Sequence, residues 1–277
     1  MPELPEAETI VRGLRPLIVG RRIARAEVLR PDVLREGVRS FAPRVRNRTI
    51  LAVERRAKNV LILLDGSRRI AVNLGMTGRL LPFPAPPRGA RRPGHPAVRF
   101  RFSDGGVLVF DDTRRFGTVE CLGDTEWTVR EARFGPEPLG DGWTARALHV
   151  ALSGSRSPVR SWLLDQRRVA GVGNIYAAEA LFLAGIHPQR PASSLTKTEA
   201  TALHGAVRSV LSDAIDEGGT TIRDYRNAIG GEGGYASLLW VYGRDGEPCR
   251  RCGTAVERIV FANRSAFFCP RCQPAAR

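Results

Sequence analysis

The chain has 277 residues and a formal net charge of +15, and 43% of its residues are hydrophobic. This hydrophobic content supports folded cores and excludes a disordered tail protein, while the length favours two modest domains. Every apolar run is strand-sized, which excludes membrane anchoring by a helix because such a helix needs ~20 apolar residues. The sequence begins without a basic and apolar leader, so we expect an intracellular, cytoplasmic protein without a membrane partner.

The basic excess favours a polyanionic partner, and nucleic acid is the first candidate. A basic proteome background or an anionic membrane surface would give the same charge, so the charge alone leaves these alternatives open. All but two of the 43 basic residues are arginine, and one exception is Lys58, in the cluster Arg55-Arg56-Ala57-Lys58. A compact ammonium suits tight phosphate or sugar contacts that a guanidinium fork does not, which makes Lys58 a candidate site residue.

The first six residues, Met1-Pro2-Glu3-Leu4-Pro5-Glu6, contain a candidate nucleophile. While Met1 is attached, the Pro2 nitrogen is a tertiary amide, but removal of Met1 makes it a free secondary amine. An α-amine titrates near ~8, so it can attack a sugar aldehyde and form an iminium, with Glu3 as a general acid or base. In the alternative, Pro2 merely starts the chain and Pro5 opens a helix.

The next predicted elements are a helix and a β-rich region. From Pro5 to Ile18 apolar residues recur at helical spacing and Gly20 follows, which predicts an amphipathic helix. From Arg22 to about Leu122, short β-rich runs broken by turn signals predict a sandwich or barrel. These runs are Ile23–Leu29, Thr49–Arg55, Asn59–Leu64, Arg69–Leu74, Val98–Phe102, Val107–Phe110 and Thr118–Leu122. The stretch from Leu81 to Pro96 is rich in Pro, Gly and Arg and predicts a long exposed loop.

After Asp124 the pattern becomes helical, with a hinge expected near residues 125–140. The helical runs are Thr144–Leu152, Val159–Asp165, Ile175–Ala184, Thr196–Glu217 and Thr221–Arg226. The glycine-rich stretch from Ala228 to Tyr235 predicts a mobile loop. From Val241 onward we expect a short β-hairpin held by metal, because this module is too small for its own core.

One glycine-rich turn is a candidate phosphate site. The run Gly171-Val172-Gly173-Asn174-Ile175-Tyr176 predicts a glycine turn with Asn174 as the cap of the next helix. Backbone amides at a helix start can hold a phosphate, and Asn174 and Tyr176 would add donors. Glycine turns are common, so an ordinary turn remains the alternative for this motif alone.

Two other turns carry candidate wedge residues. Met76 lies in the turn Asn73-Leu74-Gly75-Met76-Thr77-Gly78, and Arg114 and Phe116 lie in Arg114-Arg115-Phe116-Gly117. Proteins that remove a base from the stack commonly insert apolar and arginine side chains into the gap. Ordinary core packing is the alternative for Met76 and Phe116.

Four cysteines, Cys249, Cys252, Cys269 and Cys272, form two Cys-x2-Cys pairs separated by 16 residues. This spacing predicts a structural zinc site, and disulfides are the alternative, disfavoured in an intracellular chain. Arg264 lies between the pairs, near the expected hairpin tip, where it can contact a nucleic-acid backbone or simply face solvent. Cys121 lies in an apolar strand-like stretch and is predicted to be a buried spectator.

Together these pieces resemble one family, the bacterial formamidopyrimidine-DNA glycosylases of the Fpg/Nei superfamily. The resemblance runs nearly end to end and rests on many motifs in order. They are MPELPE at 1–6, RRAKN at 55–59, NLGMTG at 73–78, RRFG at 114–117, LLDQ at 163–166, GVGNIYAAE at 171–179, TTIRDY at 220–225, VYGRDGEPC at 241–249 and CPRCQ at 269–273.

The resemblance implies roles for the residues at matching positions. Pro2 matches the nucleophile that attacks the deoxyribose C1′, expels the damaged base and forms a Schiff base, and Glu3 matches the acid that protonates the sugar ring oxygen. Glu6 matches a supporting acid beside the lesion, and Lys58 a lysine near the phosphates. With Arg264, these residues form the predicted catalytic group.

The resemblance also implies the DNA contacts and the cofactor. Met76, Arg114 and Phe116 match the residues that fill the void left by the flipped nucleotide, and Asn174 and Arg264 match residues that grip phosphates. We add Tyr176 and His95 to the predicted DNA-binding set. The family cleaves the strand by β- and δ-elimination, and it uses one structural Zn²⁺ and no redox or nucleotide cofactor.

The chain departs from the family pattern in several places. Asn73 stands where the family usually has His, and His95-Pro96-Ala97 stands where it has His-Asp-His. The loop after Gly234-Tyr235 lacks the usual Phe and looks slightly shorter, and in the family this loop covers the flipped purine. Asn263 and Ser265 replace glycines beside Arg264.

We therefore predict an α+β multidomain fold with an N-terminal β-sandwich and helix, a helix-two-turn-helix domain and a C-terminal zinc-finger β-hairpin. The expected boundaries are 1–130 for the catalytic sandwich, 131–226 for the helical domain, 227–246 for a lesion-capping loop and connector, and 247–277 for the zinc finger.

The predicted function is a monomeric, bifunctional glycosylase and lyase of base excision repair that removes oxidised purines from damaged duplex DNA. One alternative is a superfamily enzyme that prefers oxidised pyrimidines, against which NLGMTG and RRFG argue. A second is a non-catalytic DNA-binding zinc-finger protein, against which Pro2, Glu3 and Lys58 argue. A third is a basic RNA-binding protein, disfavoured because aromatic residues make up only 7% of the chain.

Overall fold

The structure is a computed structural model that describes residues 2–89, 92–222, 225–226 and 230–275. The chain forms two compact units: unit 1 comprises residues 1–132 and 217–234, and unit 2 comprises residues 133–216 and 235–277. Within the described ranges, no helix is both long enough and apolar enough to cross a membrane.

In the part of unit 1 that the structure describes, a β-sandwich is accompanied by three α-helices. Its helices are α1 (Leu4–Ile18), α2 (Val38–Val45) and α3 (Asp124–Glu131). Its strands are β1 (Arg22–Val28), β2 (Arg48–Arg56), β3 (Asn59–Leu64), β4 (Arg68–Asn73), β5 (Gly78–Phe83), β6 (Pro96–Phe102), β7 (Val107–Asp112) and β8 (Thr118–Gly123). They form one antiparallel ladder in the order β5-β7-β6-β1-β2-β3-β4-β8.

The ladder folds into two four-stranded halves. β1 and β2 pair through only two residue pairs, Arg22 with Thr49 and Ile23 with Arg48, whereas the other strand pairs run for at least five. One hydrophobic core takes side chains from both halves and from α1, such as Phe100 from β6, Ile62 from β3 and Leu14 from α1. The predicted sandwich is therefore confirmed.

Three elements of unit 1 differ from the sequence expectation. Residues 81–83 belong to β5 and not to the predicted loop. β5 is an edge strand, which is the position in a sheet where a proline such as Pro82 is tolerated. α2 and α3 were not predicted, and α3 occupies part of the expected hinge at 125–140. Both are only eight residues long, so each spans little more than two helical turns and offers few periods to detect.

Among its described residues, unit 2 combines four α-helices with a two-stranded hairpin. The helices are α4 (Ala145–Ser153), α5 (Val159–Leu164), α6 (Asn174–Leu183) and α7 (Lys197–Asp216), and the hairpin strands are β9 (Glu257–Phe261) and β10 (Arg264–Phe268). The predicted helices 144–152, 159–165, 175–184 and 196–217 are confirmed to within one residue at each end. A core cluster that includes Phe182, Val241 and Phe267 joins α6 to the cysteine module.

Two buried polar side chains hold the cysteine module to the helices. The Glu179 carboxylate, on α6, accepts hydrogen bonds from the backbone N–H groups of Trp240, Val241 and Tyr242 at 2.7, 3.1 and 2.8 Å. The Gln273 side chain donates to the Ile186 carbonyl at 2.9 Å and accepts from the Cys269 N–H at 3.0 Å. Buried polar groups with such partners fix one docking geometry.

The predicted helix Thr221–Arg226 is wrong where the structure describes it, since residues 221, 222, 225 and 226 are not helical. Residues 223–224 lie outside the described part. Gly218 and Gly219 adopt positive φ after α7, and the Thr221 hydroxyl accepts a hydrogen bond from the Gly233 N–H at 2.8 Å. This hydrogen bond spans 12 positions in the sequence, so it is not a helical one. Residues 228–229 of the predicted mobile loop also lie outside the described residues.

Candidate active site and nucleic-acid interface

The N-terminus of unit 1 is buried. Pro2, Glu3 and Glu6 are all buried, and Glu3 precedes the first residue of α1 in an extended conformation. The Glu6 carboxylate accepts a hydrogen bond from the Glu3 N–H at 2.7 Å, as in a capping box. This bond fixes the backbone direction of Pro2 and Glu3 relative to α1.

Glu6 also joins this end of α1 to the segment that follows α7 in sequence. Its second oxygen accepts from the Thr220 N–H at 2.8 Å, and a side chain added at Gly219 would lie 3.2 Å from the Glu6 carboxylate. Burial and the Glu6 charge raise the pKa of Tyr225, whose hydroxyl donates to the Gly218 carbonyl at 3.2 Å. The predicted acid Glu6 thus connects α1 to residues 219 and 220, which follow α7 in the sequence.

Lys58 lies in the turn between β2 and β3. Ala57, immediately before it, has φ of +55°. Arg55 connects this turn to α1, because its guanidinium donates to the Ala57 carbonyl at 3.1 Å and to the Glu8 carboxylate at 3.2 Å. The structure therefore ties the Lys58 turn to the first turns of the helix that starts at the Pro2–Glu3 end.

The two predicted wedge turns are in backbone contact. Gly75 has φ of +59°, and a Cβ placed there would lie 2.4 Å from the Gly117 backbone nitrogen. Met76 is 37% exposed and Phe116 is 58% exposed, which excludes core packing as the explanation for these residues. The Arg114 guanidinium stacks over the Phe116 ring at 4.7 Å from its centroid, so the two side chains form one exposed group.

Asp112 holds the two wedge turns together. It is 1% exposed, and its carboxylate accepts from the Thr77 hydroxyl at 2.5 Å and from the Gly117 N–H at 2.8 Å. The Thr77 hydroxyl in turn accepts from the Arg114 N–H at 3.0 Å. Sequence analysis missed Asp112, although a polar residue at the end of an apolar strand is a signal that could have found it.

Asn73 and His95 support the same region. The Asn73 side chain donates to the Asn59 side chain at 3.2 Å and accepts from the Gly75 N–H at 3.1 Å, so the departure from the usual His keeps a polar tie to the Met76 turn. His95 is exposed, and its backbone N–H donates to the Asp111 carboxylate at 2.7 Å. A cavity of about 500 Å³ lies beside it, and its lining includes Arg30, Arg115 and Asp112.

In unit 2, the predicted cap at Asn174 is corrected. Gly173 is the cap residue and Asn174 is the first helical residue of α6, because the Asn174 side chain is engaged elsewhere: its amide group donates to the Ser265 carbonyl at 3.1 Å. Tyr176 is 0% exposed, and its ring packs against Tyr235 with centroids 6.0 Å apart. Its hydroxyl therefore lies in the interior of unit 2, not at the surface.

Arg264 is exposed next to the hairpin turn, as predicted. The turn residues Ala262 and Asn263 have φ of +50° and +57°, the pattern of a type I′ hairpin turn. Asparagine tolerates positive φ better than most residues, which explains how Asn263 replaces a glycine here. Ser265, which stands at the other position where the family usually has glycine, lies in β10. Its carbonyl accepts the hydrogen bond from the Asn174 side-chain amide.

The four cysteines form a metal site. Their sulfur atoms all lie within 4.8 Å of one another. The Cys249–Cys272 and Cys252–Cys269 sulfur separations are 4.0 and 3.5 Å, far longer than a disulfide bond. Four sulfurs placed tetrahedrally ~2.3 Å from zinc are separated by about 3.8 Å, so the residues fit one structural Zn²⁺. The fifth cysteine, Cys121, is fully buried, as predicted, and this burial raises the pKa of its thiol to about 11.

Sequence analysis also missed Arg160. It is 0% exposed on α5, and its guanidinium donates to the Asn174 side chain at 2.5 Å and to the Ser265 carbonyl at 2.7 Å. Arginine among the apolar residues Val159, Trp162 and Leu163 was the available signal, since arginine is rarely fully buried without a purpose.

The β-sandwich with a buried Pro–Glu start, the helical unit and the four-cysteine hairpin define a helix-two-turn-helix zinc-finger protein. Three family models match in order: the formamidopyrimidine-DNA glycosylase N-terminal domain at residues 1–119, its H2TH domain at 134–226, and the zinc finger found in FPG and IleRS at 246–275. The chain belongs to the formamidopyrimidine-DNA glycosylase family.

Relatives and solved structures agree with this assignment. The chain is 47% identical to a formamidopyrimidine-DNA glycosylase of Chloroflexus aggregans, over 99% of this chain and 98% of the relative, and 44% identical to one of Paracoccus denitrificans, over 99% and 100%. The crystal structure of the MutM (Fpg) protein from Thermus thermophilus covers 100% of both chains at 39% identity with a TM-score of 0.88. A Lactococcus lactis FPG mutant in complex with Fapy-dG-containing DNA matches at 33% identity, over 99% and 100%, with a TM-score of 0.91.

Proposed function

We propose that this chain is a DNA glycosylase and lyase of base excision repair that removes oxidised purines from duplex DNA through the Pro2 amine. The observation that carries the proposal is the buried Pro2–Glu3 start, held by the Glu6 carboxylate at 2.7 Å from the Glu3 nitrogen. An amine and a carboxyl fixed side by side can divide covalent attack and proton transfer between them.

The chemistry begins once Met1 has been removed. The Pro2 nitrogen attacks the deoxyribose C1′, the bond to the damaged base breaks, and Glu3 protonates the sugar ring oxygen so that the ring opens. The product is an iminium between Pro2 and C1′. The iminium withdraws electrons from C2′, which makes the C2′ proton acidic and permits β-elimination and then δ-elimination of the two flanking phosphates.

Recognition of the lesion is proposed for the wedge turns and for the loop and connector at residues 227–246. Met76, Arg114 and Phe116 would fill the space left by a flipped nucleotide, which is supported by their exposure and by the Asp112 bonds that hold the turns together. The loop would cover the flipped base.

Phosphate contacts are proposed for Lys58, His95, Asn174, Tyr176 and Arg264, with Tyr176 acting through its backbone because its side chain is buried. The structural Zn²⁺ would be held by the four cysteines and would order the hairpin that carries Arg264. We further propose a cytoplasmic monomer that associates with the nucleoid, and the four-part division 1–130, 131–226, 227–246 and 247–277. The bacterial source of the relatives supports the location.

The test is borohydride trapping with a duplex that carries 8-oxoguanine opposite cytosine. We expect a covalent protein–DNA band that disappears when Met1 is retained, since a tertiary amide cannot attack. A band that forms only with an abasic duplex would support the lyase activity and would indicate that the enzyme prefers a different damaged base, for example an oxidised pyrimidine. The absence of a band with both duplexes would favour a non-catalytic DNA-binding protein.

A further inference from the structure

Arg160 connects the helical part of unit 2 to the zinc-finger hairpin. One nitrogen of its guanidinium, Nη2, donates to Asn174 Oδ1 at 2.5 Å and to the Ser265 carbonyl at 2.7 Å. Asn174 Nδ2 donates to the same carbonyl at 3.1 Å. We call Asn174, Arg264 and Ser265 the Asn174–Arg264 corner. Asn174 and Ser265 are 91 positions apart in the sequence. The Arg160 side chain donates a hydrogen bond to each of them.

The environment of Arg160 is unfavourable for a cation. The side chain is 0% exposed, and its Nε and Nη1 have no hydrogen-bond partner among the described residues. Its guanidinium lies 4.8 Å from the centroid of the Phe261 ring, which compensates only part of the lost hydration. Burial lowers the pKa of Arg160, and the neighbouring positive charge of Arg264 lowers it further.

A buried cation beside a second cation costs stability, and apolar groups of similar volume are often neutral or stabilising replacements. The Arg160 side chain is therefore not explained by a contribution to the free energy of unfolding. What it does supply is a fixed orientation of Asn174, a fixed position of the hairpin backbone at Ser265, and positive potential at the start of α6. All three favour an anion, because a helix N-terminus already carries partial positive charge.

We propose that Arg160 is a positioning residue that holds Asn174 and the Arg264-bearing hairpin in register to bind one backbone phosphate of DNA. This inference rests on the proposed function and extends it to a residue that does not reach the surface. Bound phosphate offsets the repulsion between Arg160 and Arg264, so part of the binding free energy comes from relief of an electrostatic cost present in the free protein.

The decisive variant is Arg160→Met, which keeps an unbranched side chain of similar length and removes the charge and both hydrogen bonds. Arg208→Met is the matched control, because Arg208 also lies in unit 2 and also donates to two acceptors, the carbonyls of Pro138 and Gly140 at 2.9 and 3.3 Å. For both variants we would measure the zinc content, the Tm, and the Kd for a duplex with a tetrahydrofuran abasic analogue and for an undamaged duplex.

The expected result separates binding from stability. Arg160→Met should weaken binding of both duplexes roughly tenfold or more, as expected for loss of hydrogen bonds to a charged group, with unchanged zinc and an unchanged or higher Tm. Arg208→Met should lower the Tm and leave the Kd unchanged. Arg160→Lys, which keeps the charge but not the fork, should recover part of the affinity.

A double-mutant cycle tests whether Arg160 acts through the corner. Adding Arg160→Met to Asn174→Ala should weaken binding far less than Arg160→Met does alone, since residues that share a network are not additive. Unchanged affinity in Arg160→Met would overturn the inference, as would a loss of zinc and Tm that parallels the loss of binding. If the wild type bound undamaged duplex as tightly as the abasic analogue, the proposed function would be contradicted. The role of Arg160 would still be tested, by comparing the Kd of Arg160→Met with that of the wild type. Wild-type protein that binds neither duplex would overturn both.

Discussion

The two functional regions of this chain are held by charges of opposite sign. In unit 1, the buried carboxylates of Glu6 and Asp112 accept backbone N–H groups and thereby fix the Pro2–Glu3 start and the wedge turns. In unit 2, a buried guanidinium, Arg160, donates to the side chain and the carbonyl that define the Asn174–Arg264 corner.

This difference follows the chemistry that each region is proposed to perform. Carboxylates satisfy several N–H donors at once, and near the sugar they keep proton acceptors and donors close to the amine. A guanidinium satisfies carbonyls and leaves uncompensated positive charge, which is what a phosphate site requires. A chain with a net charge of +15 therefore uses some of its few acids as internal struts and keeps its cations for the partner.

The largest effect is expected in unit 2, from removal of one ligand of the zinc site. Cys252→Ser removes one zinc ligand, and structural zinc contributes about 10–16 kcal/mol of folding free energy to small zinc modules. We expect zinc and duplex binding to be lost together, while the sandwich of unit 1 stays folded. Zinc analysis and duplex titration would check this. Cys121→Ser, at a buried cysteine outside the cluster, is the control, and retained zinc in Cys252→Ser would contradict the ligand assignment.

The second prediction separates the acid from the amine in unit 1. Glu3→Gln keeps the size of the side chain but removes its proton-transfer capacity, so excision of 8-oxoguanine should fall by about 10²–10⁴-fold. Borohydride trapping on a preformed abasic duplex should persist, because the Pro2 amine meets an aldehyde directly. Glu54→Gln, at an exposed position of β2, should keep both activities. Equal losses of excision and trapping in Glu3→Gln would argue that Glu3 only shapes the N-terminus.

The third prediction tests whether Asp112 is a strut. In Asp112→Asn, an NH2 group, which is a donor, replaces one carboxylate oxygen. The side chain can then no longer accept from both the Gly117 N–H and the Thr77 hydroxyl. Binding of a duplex with an abasic analogue should weaken about tenfold, the cost of one charge-assisted hydrogen bond. The matched control is Asp104→Asn, since Asp104 also accepts a backbone N–H, that of Gly106 at 3.0 Å, but in a different turn. A similar loss in both variants would refute the specific role of Asp112.

Much of unit 1 could be predicted because its signals are local. Each strand of the sandwich except β5 followed from a short apolar run between turn residues, and the exposed positions of Met76 and Phe116 agree with their turn motifs. The β5 strand was missed because Pro82 reads as a strand breaker unless its edge position is known. The helices α2 and α3 were missed because eight residues give too few periods to detect.

The struts could not be predicted, because a contact between distant segments leaves no local pattern. Glu6 lies 214 residues from its partner Thr220, and Arg160 lies 105 residues from Ser265. The motif around Asn174 identified a candidate phosphate ligand but misplaced its side chain as a cap, since the competing donor, Arg160, lies outside the motif. Family resemblance names candidate functional residues, whereas only the structure identifies the side chains that contact and orient them.

The smallest expected effect lies in unit 2 away from the Asn174–Arg264 corner, where a carboxylate again acts as a strut. Glu199 accepts from Arg190 and from the Thr196 N–H, and the Arg190 hydrogen bond lowers the pKa of Glu199 from 4.5 to about 2. A lowered pKa in the folded state means that this stabilisation is present above pH 4.5 and is lost as the pH falls towards 2. Urea unfolding of the wild type should therefore weaken between about pH 5 and pH 3 more than that of Glu199→Gln, by a small amount because the pair is partly exposed. Asp141→Asn, at an exposed position of the same unit, should follow the wild type. Identical acid profiles for the wild type and Glu199→Gln would show that the Glu199 carboxylate does not contribute to the stability of unit 2.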